Sequence, residues 1–90
     1  MKPLLEPFVY RGCEVMSFKQ LDLLNEAPKG SAFRAFKRRL PELIEDEHYF
    51  YLDPVRDADA LGRLRERGLL YLGSPHAVLI TRSGYRLLRE

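Results

Sequence analysis

Little in this sequence allows cross-linking or membrane insertion. Its single cysteine, Cys13, excludes an internal disulfide and suits a cytoplasmic location. No run of about 18 apolar residues occurs, so no segment is expected to span a membrane. Met1-Lys2-Pro3-Leu4-Leu5-Glu6-Pro7 is too short and too interrupted for a signal peptide. Residues 1–7 are expected to form a flexible lead into one domain covering 1–90. A strong charge of one sign is also missing. The net charge of +2 does not point to nucleic acid by itself, so any electrostatic reading depends on how the charges are arranged. Repeats and low-complexity stretches are absent. A chain of 90 residues can bury only a small core, which argues against a deep active site.

The usual marks of chemistry are scarce too. His48 beside Glu45 and Glu47, and His76 in a turn, lack the i, i+4 spacing or cysteine companions of a metal site. Cys13 has no nearby base. Ser83-Gly84-Tyr85 reads as a helix cap, because the G-x-S-x-G of a nucleophile elbow is missing. Gly30-Ser31 is too sparse for a P-loop. Neither catalysis nor a metal nor a cofactor is therefore expected.

What is present reads as alternating short elements. "PFVYRGCEVMS" forms two strands around Arg11-Gly12, with Phe8 and Tyr10 on one face and Val15 in the return strand. Ser17 and Gln20 make a capping box for the helix that follows, and Met16 and Leu21 occupy the positions of a hydrophobic staple. Pro28 and Gly30 stop that helix. A second helix starts at Ser31 as N-cap, with Phe33, Phe36, Leu40, Leu43 and Ile44 as its expected buried stripe. Pro41 restarts it as a short extra turn, "PELIED". "EHYFYLD" is a strand in which His48, Phe50 and Leu52 alternate with Tyr49 and Tyr51. "DPVRDADALGRLRERG" is a short polar helix with Asp57 and Asp59 at its start and Gly68 after its end. "LLYLGSPHAVLI" reads as a hairpin turning at Gly73-Ser74-Pro75-His76. Thr81 or Ser83 caps a last helix with Tyr85 and Leu88 inward. The order β-β-α-α-β-α-β-β-α places the chain in the α+β class: an N-terminal β-hairpin, a helix-turn-helix-like pair, a small antiparallel sheet and a C-terminal helix.

The second helix, "KGSAFRAFKRRL", carries the clearest functional pattern. With Phe33 at zero, Lys37, Arg34 and Arg38 fall at roughly 40°, 100° and 140° around the helix, forming one basic stripe. Lys29, Arg34 and the Gly30-Ser31 turn gather at the positive end of the helix dipole, where an acid is the usual choice. Free N–H groups, the Ser31 hydroxyl and two cations would there make a phosphate seat; the alternative is a solvated face. A capped short helix, a Pro-Gly turn and a basic second helix follow the order of a helix-turn-helix reader, though the turn over 25–30 is longer than usual. Arginine outnumbers lysine, which suits phosphate recognition by guanidinium forks or reflects a GC-rich coding genome.

These residues resemble the N-terminal domain of phage and prophage antirepressors of the ORF-six-N type, relatives of the KilA-N and Bro-N domains. Tyr10-Arg11-Gly12 followed by Val15-Met16-Ser17-Phe18 resembles that family's aromatic strand, x-G turn and "V-V-T-F" run. Residues Ala27 to Phe36 resemble "R-P-E-G-T-A-R-R-N-F". Leu43 to Phe50 resembles "F-x-E-G-E-D-F-F", and Leu79 to Leu88 resembles "L-L-T-E-S-G-Y-x-x-L". The resemblance spans about 8–88, with only an outline match from Asp53 to Gly73. Lys29 replaces an acid, Phe33 stands where the family often has arginine or lysine, and Arg82 replaces an acid. The resemblance implies a DNA-binding domain in transcriptional control. Family members usually carry a second, C-terminal domain, so this chain either stands alone or lacks the effector half.

Two functions follow as expectations. In the first, the helix 31–40 binds double-stranded DNA through Lys29, Ser31, Arg34, Lys37 and Arg38, with a homodimer on a palindromic site as its natural form. In the second, a small phage-derived regulator uses the same fold to inhibit a host or phage protein. Leu23, Tyr49, Tyr51 and Leu87 are the candidate partner surface, since each is expected to point away from its element's apolar face.

Overall fold

The computed structural model describes residues 6–89. Its elements run β1 (Phe8–Tyr10), β2 (Cys13–Ser17), α1 (Phe18–Leu24), α2 (Ser31–Arg39), a 3-10 turn (Leu40–Glu42), β3 (Tyr49–Leu52), α3 (Ala58–Glu66), β4 (Ala77–Thr81) and α4 (Arg82–Arg89). The class is α+β, as expected. The four strands form one antiparallel sheet in the order β1-β2-β4-β3. The expected flexible lead 1–7 lies outside the described residues up to residue 5. The Glu6 carbonyl accepts a hydrogen bond from Gln20 Nε2 at 2.8 Å.

The local signals act as their chemistry requires. Tyr10 pairs with Cys13, leaving Arg11 and Gly12 as a two-residue turn with φ of 53° and 78°. A tight hairpin of this hand needs positive φ at both positions. Ser17 Oγ accepts the Gln20 N–H at 3.2 Å, while Gln20 Oε1 accepts the Ser17 N–H at 2.9 Å. That closes the capping box and fixes where α1 begins. Met16 and Leu21 of the staple lie in the same core cluster. At the end of α3, the Leu69 N–H bonds the Leu64 carbonyl and the Gly68 N–H bonds the Arg65 carbonyl. This is a Schellman close, and its two apolar residues, Leu64 and Leu69, are both buried.

The sheet is covered on both faces. Val15, Phe50, Leu52, Ala77 and Leu79 pack against Leu61 and Leu64 of α3 and against Leu69 and Leu70. On the opposite face, Met16, Val78 and Ile80 meet Leu21 of α1, Phe36 of α2 and Leu43, with Tyr49, Tyr85, Leu87 and Leu88 half-buried around them. β4 is buried along its whole length, which explains its uninterrupted apolar run: a central strand between two layers has no solvent side. Each fully buried leucine here contributes roughly 1.5–3 kcal/mol.

Several expectations are corrected. The expected hairpin partner of β4 is not a strand: Leu69 and Leu70 instead plug the core as irregular chain, with Ser17 Oγ donating to the Leu69 carbonyl. The bend at 72–76 therefore joins loop to strand and makes no hairpin. β3 begins at Tyr49, and His48 sits in the turn before it, its Nδ1 accepting the Ile44 N–H at 2.9 Å. The stripe expected on α2 is only partly buried. Phe36 and Leu43 are inside, but Phe33 is 45%, Leu40 36% and Ile44 56% exposed. Ala32 and Ala35 share the inner side of α2 with Phe36, so the helix is rotated from its expected setting.

α4 is anchored at its start. Thr81 Oγ1 accepts the Gly84 N–H at 3.1 Å and lies 2.9 Å from the Glu47 carbonyl oxygen, so Thr81, of the two candidates, is the cap. A Cβ on Gly84 would stand 2.0 Å from the His48 carbonyl oxygen. Only glycine lets the helix come this close.

Candidate nucleic-acid interface

The rotation of α2 settles which side chains it presents. With Ala32, Ala35 and Phe36 inward, the outward side carries Phe33, Arg34, Lys37 and Arg38, all exposed. The helix contains no acidic residue. None of Arg34, Lys37 and Arg38 forms an ion pair with a carboxylate among the described residues, whereas Arg39 pairs with Glu42 at 3.1 Å. Arg34 Nη2 lies 3.5 Å from Ser31 Oγ. Lys37 Nζ stands 5.8 Å from the Phe33 ring centre, and that ring meets Phe18 edge-on at 5.9 Å. The result is a ridge of three cations beside a braced aromatic ring.

The N-terminus of α2 differs from expectation. Gly30, at φ 93°, is the N-cap, and Ser31 is the first helical residue. Ser31 Oγ donates back to the Pro28 carbonyl at 2.8 Å. The N–H groups of Gly30 and Ala32 are taken by the two carboxylate oxygens of Asp22, at 2.9 and 2.7 Å. Asp22 is 2% exposed and also accepts a hydrogen bond from the Tyr71 hydroxyl. Lys29 Nζ lies 5.0 Å from the Tyr71 ring centre. Burial, then the Asp22 hydrogen bond and charge, push the Tyr71 phenol up to about 12. The anion that the helix dipole calls for is thus supplied from α1. The phosphate seat expected from Lys29, Ser31 and the free N–H groups is already filled by the protein's own carboxylate.

Asp22 and Tyr71 were not singled out among the sequence's candidate residues. Asp22 had a readable signal: it follows Phe18 by four residues, on the inward side of a short helix, where a carboxylate needs donors. Tyr71, 49 positions away, had none. The expected partner surface does not assemble. Tyr49 stacks edge-on with Phe36 at 5.0 Å, and Leu87 packs into the same cluster. Tyr49 packs beneath the helical layer, and Leu87 of α4 packs inward into the same cluster, rather than toward solvent. Leu23 is 44% exposed, and Tyr51, 36% exposed, stands 5.6 Å from the His76 ring.

Among the described residues no group of His, Cys, Asp and Glu side chains could hold a metal ion, and no helix is long and apolar enough to cross a membrane. Compared with known proteins, the chain matches no family model, no curated protein and no solved structure. The reading of the site therefore rests on its own geometry.

Proposed function

We propose that this chain is a duplex-DNA-binding regulatory domain, of the phage antirepressor type its sequence resembles, which holds the polyanion on the outward face of α2. One observation carries the reading: Arg34, Lys37 and Arg38 stand together on the exposed side of a helix that has no acid, and no carboxylate among the described residues pairs with them. Such cations gain by displacing counterions from phosphates. The guanidinium forks of Arg34 and Arg38 also match guanine edges in a major groove. Lys29 and Ser31 drop out of the contact set, because their neighbourhood is closed by Asp22. A homodimer on a palindromic site would double the small footprint of one copy.

The test is retardation of duplex DNA across a salt series. Replacing Lys37 and Arg38 together by alanine is expected to flatten the slope of log K against log salt by about two. Binding by the unaltered protein that ignores salt would contradict the reading.

A second reading, a regulator that inhibits a host or phage protein, draws on Phe33. An exposed ring flanked by cations suits an acidic protein surface with an apolar centre. No retardation of random duplex at low salt would favour it over the first.

A further inference from the structure

We propose that α4 forms a second cationic row beside α2, so that a duplex is held across both helices, with α2 toward the bases and α4 on the sugar–phosphate strand. This rests on the DNA-binding reading above. The sequence of α4, RSGYRLLR, contains no acid. Arg82, Arg86 and Arg89 recur at i, i+4 and i+7, which sets them on one side of the helix. All three are exposed, while Gly84 is buried and Leu87 and Leu88 are half-buried on the other side. Arg82 is steadied by Glu14 at 2.9 Å, and the Arg89 guanidinium lies 5.6 Å from the Tyr85 ring centre. Arg86 has no ion pair among the described residues.

The two rows adjoin. A groove of about 230 Å³ runs between the helices, with Ser31 and Ala35 on one bank and Tyr85, Leu88 and Arg89 on the other. Arg34 follows Ser31 by three residues and Arg38 follows Ala35 by three, so both sit on the solvent side of the α2 bank. Arg89 lines the α4 bank of this groove, and Arg86 lies one turn back on α4, where it lines a neighbouring recess with Arg82, Glu14 and Glu47. Packed helices lie about 8–10 Å apart, and a major groove is roughly 12 Å wide. A helix set into that groove leaves its packed neighbour over the flanking backbone. Phosphate contacts position a protein without reading sequence, and this defines the division of labour between the two helices.

The experiment replaces Arg86 and Arg89 together by alanine in the full chain. It measures retardation of two short duplexes of unrelated sequence across a salt series, beside the Lys37→Ala/Arg38→Ala protein. The α4 variant is expected to flatten the salt slope by about two and to weaken both duplexes by the same factor, with an unchanged melting temperature. The α2 variant should flatten the slope and also change the ratio between the duplexes. An unchanged slope in the α4 variant, with the α2 variant weakened, overturns the role of α4 and leaves the reading of α2 standing. Unequal losses on the two duplexes in the α4 variant overturn the backbone-only role. No binding by the unaltered protein overturns both.

Discussion

α2 and α3 are each nine residues long and each rich in arginine, yet they handle charge in opposite ways. α3 carries its own counter-charges. Asp57 and Asp59 stand at its start, Glu66 at its end, and Arg56 pairs with Asp57 at 2.9 Å. The cations at its C-terminal end are also tied down: Arg65 donates to the Ser74 carbonyl at 2.6 Å, and Arg67, just past the helix, lies 5.4 Å from the Phe8 ring centre. α2 has no acid of its own. It borrows one carboxylate from α1, and Asp22 is wholly engaged by backbone N–H groups and Tyr71. Both helix N-termini therefore have an anion. On α2, three neighbouring cations, Arg34, Lys37 and Arg38, stand in an acid-free run with no ion pair among the described residues. The number of arginines does not mark the candidate site; the lack of acids among them does.

The comparison is broken most directly by removing the borrowed anion. Asp22→Ala is expected to destabilise the fold by about 2–3 kcal/mol, because two backbone donors and a half-buried phenol lose a charged acceptor. Hydrogen exchange should quicken first at the Gly30 and Ala32 amides and leave α3 protected. Equal loosening of both helices would contradict the local role assigned to Asp22.

pH should separate the two regions next. The Asp53 carboxyl is held below the usual range by the N–H groups of Arg56 and Val55, and that of Asp57 by the Asp53 N–H and the Arg56 guanidinium. Their contribution is complete above the unfolded value of about 3.9 and is lost as pH falls through the lowered folded values. Tyr71 acts at the other end. Its contribution is complete below the unfolded value of about 10 and is lost as pH rises toward the folded value of about 12. Melting temperatures across pH should thus show an acid limb from the α3 entry and an alkaline limb from the α2 cap. Tyr71→Phe is expected to shrink the second limb and leave the first, the remainder coming from Tyr49, whose phenol is also raised by burial and by the Glu45 and Asp46 charges.

The smallest effects on stability sharpen the contrast in charge. Arg63→Ala on α3 and Arg34→Ala on α2 should each change stability by no more than about 0.5 kcal/mol, as exposed substitutions do. On duplex DNA they should differ: Arg34→Ala weakens binding and Arg63→Ala leaves it unchanged. Equal loss from both would mean that total charge, and not the α2 face, governs binding.

Much of this was legible in the residues. Arg11-Gly12, Ser17 with Gln20, and Gly68 each declare a chain reversal or a helix end through groups a few positions apart. The basic stripe of Arg34, Lys37 and Arg38 was legible for the same reason, since helical spacing alone brings it together. The partner surface was misread because Tyr49 and Leu87 were assigned to solvent. That judgement needs to know whether a second layer covers the sheet, and nothing within one strand or helix says so. The phosphate seat was misread because the group that fills it comes from the preceding helix.

By itself the sequence determined the first hairpin turn, the start of α1, the end of α3 and which cations share a side of α2, because these follow from bonds and spacings within a turn or two. Tertiary structure decided how far α2 is rotated, which anion caps it and that its cations stay uncovered. Those outcomes depend on Phe36 reaching Tyr49 and on Asp22 reaching Tyr71, partners that only packing brings into contact.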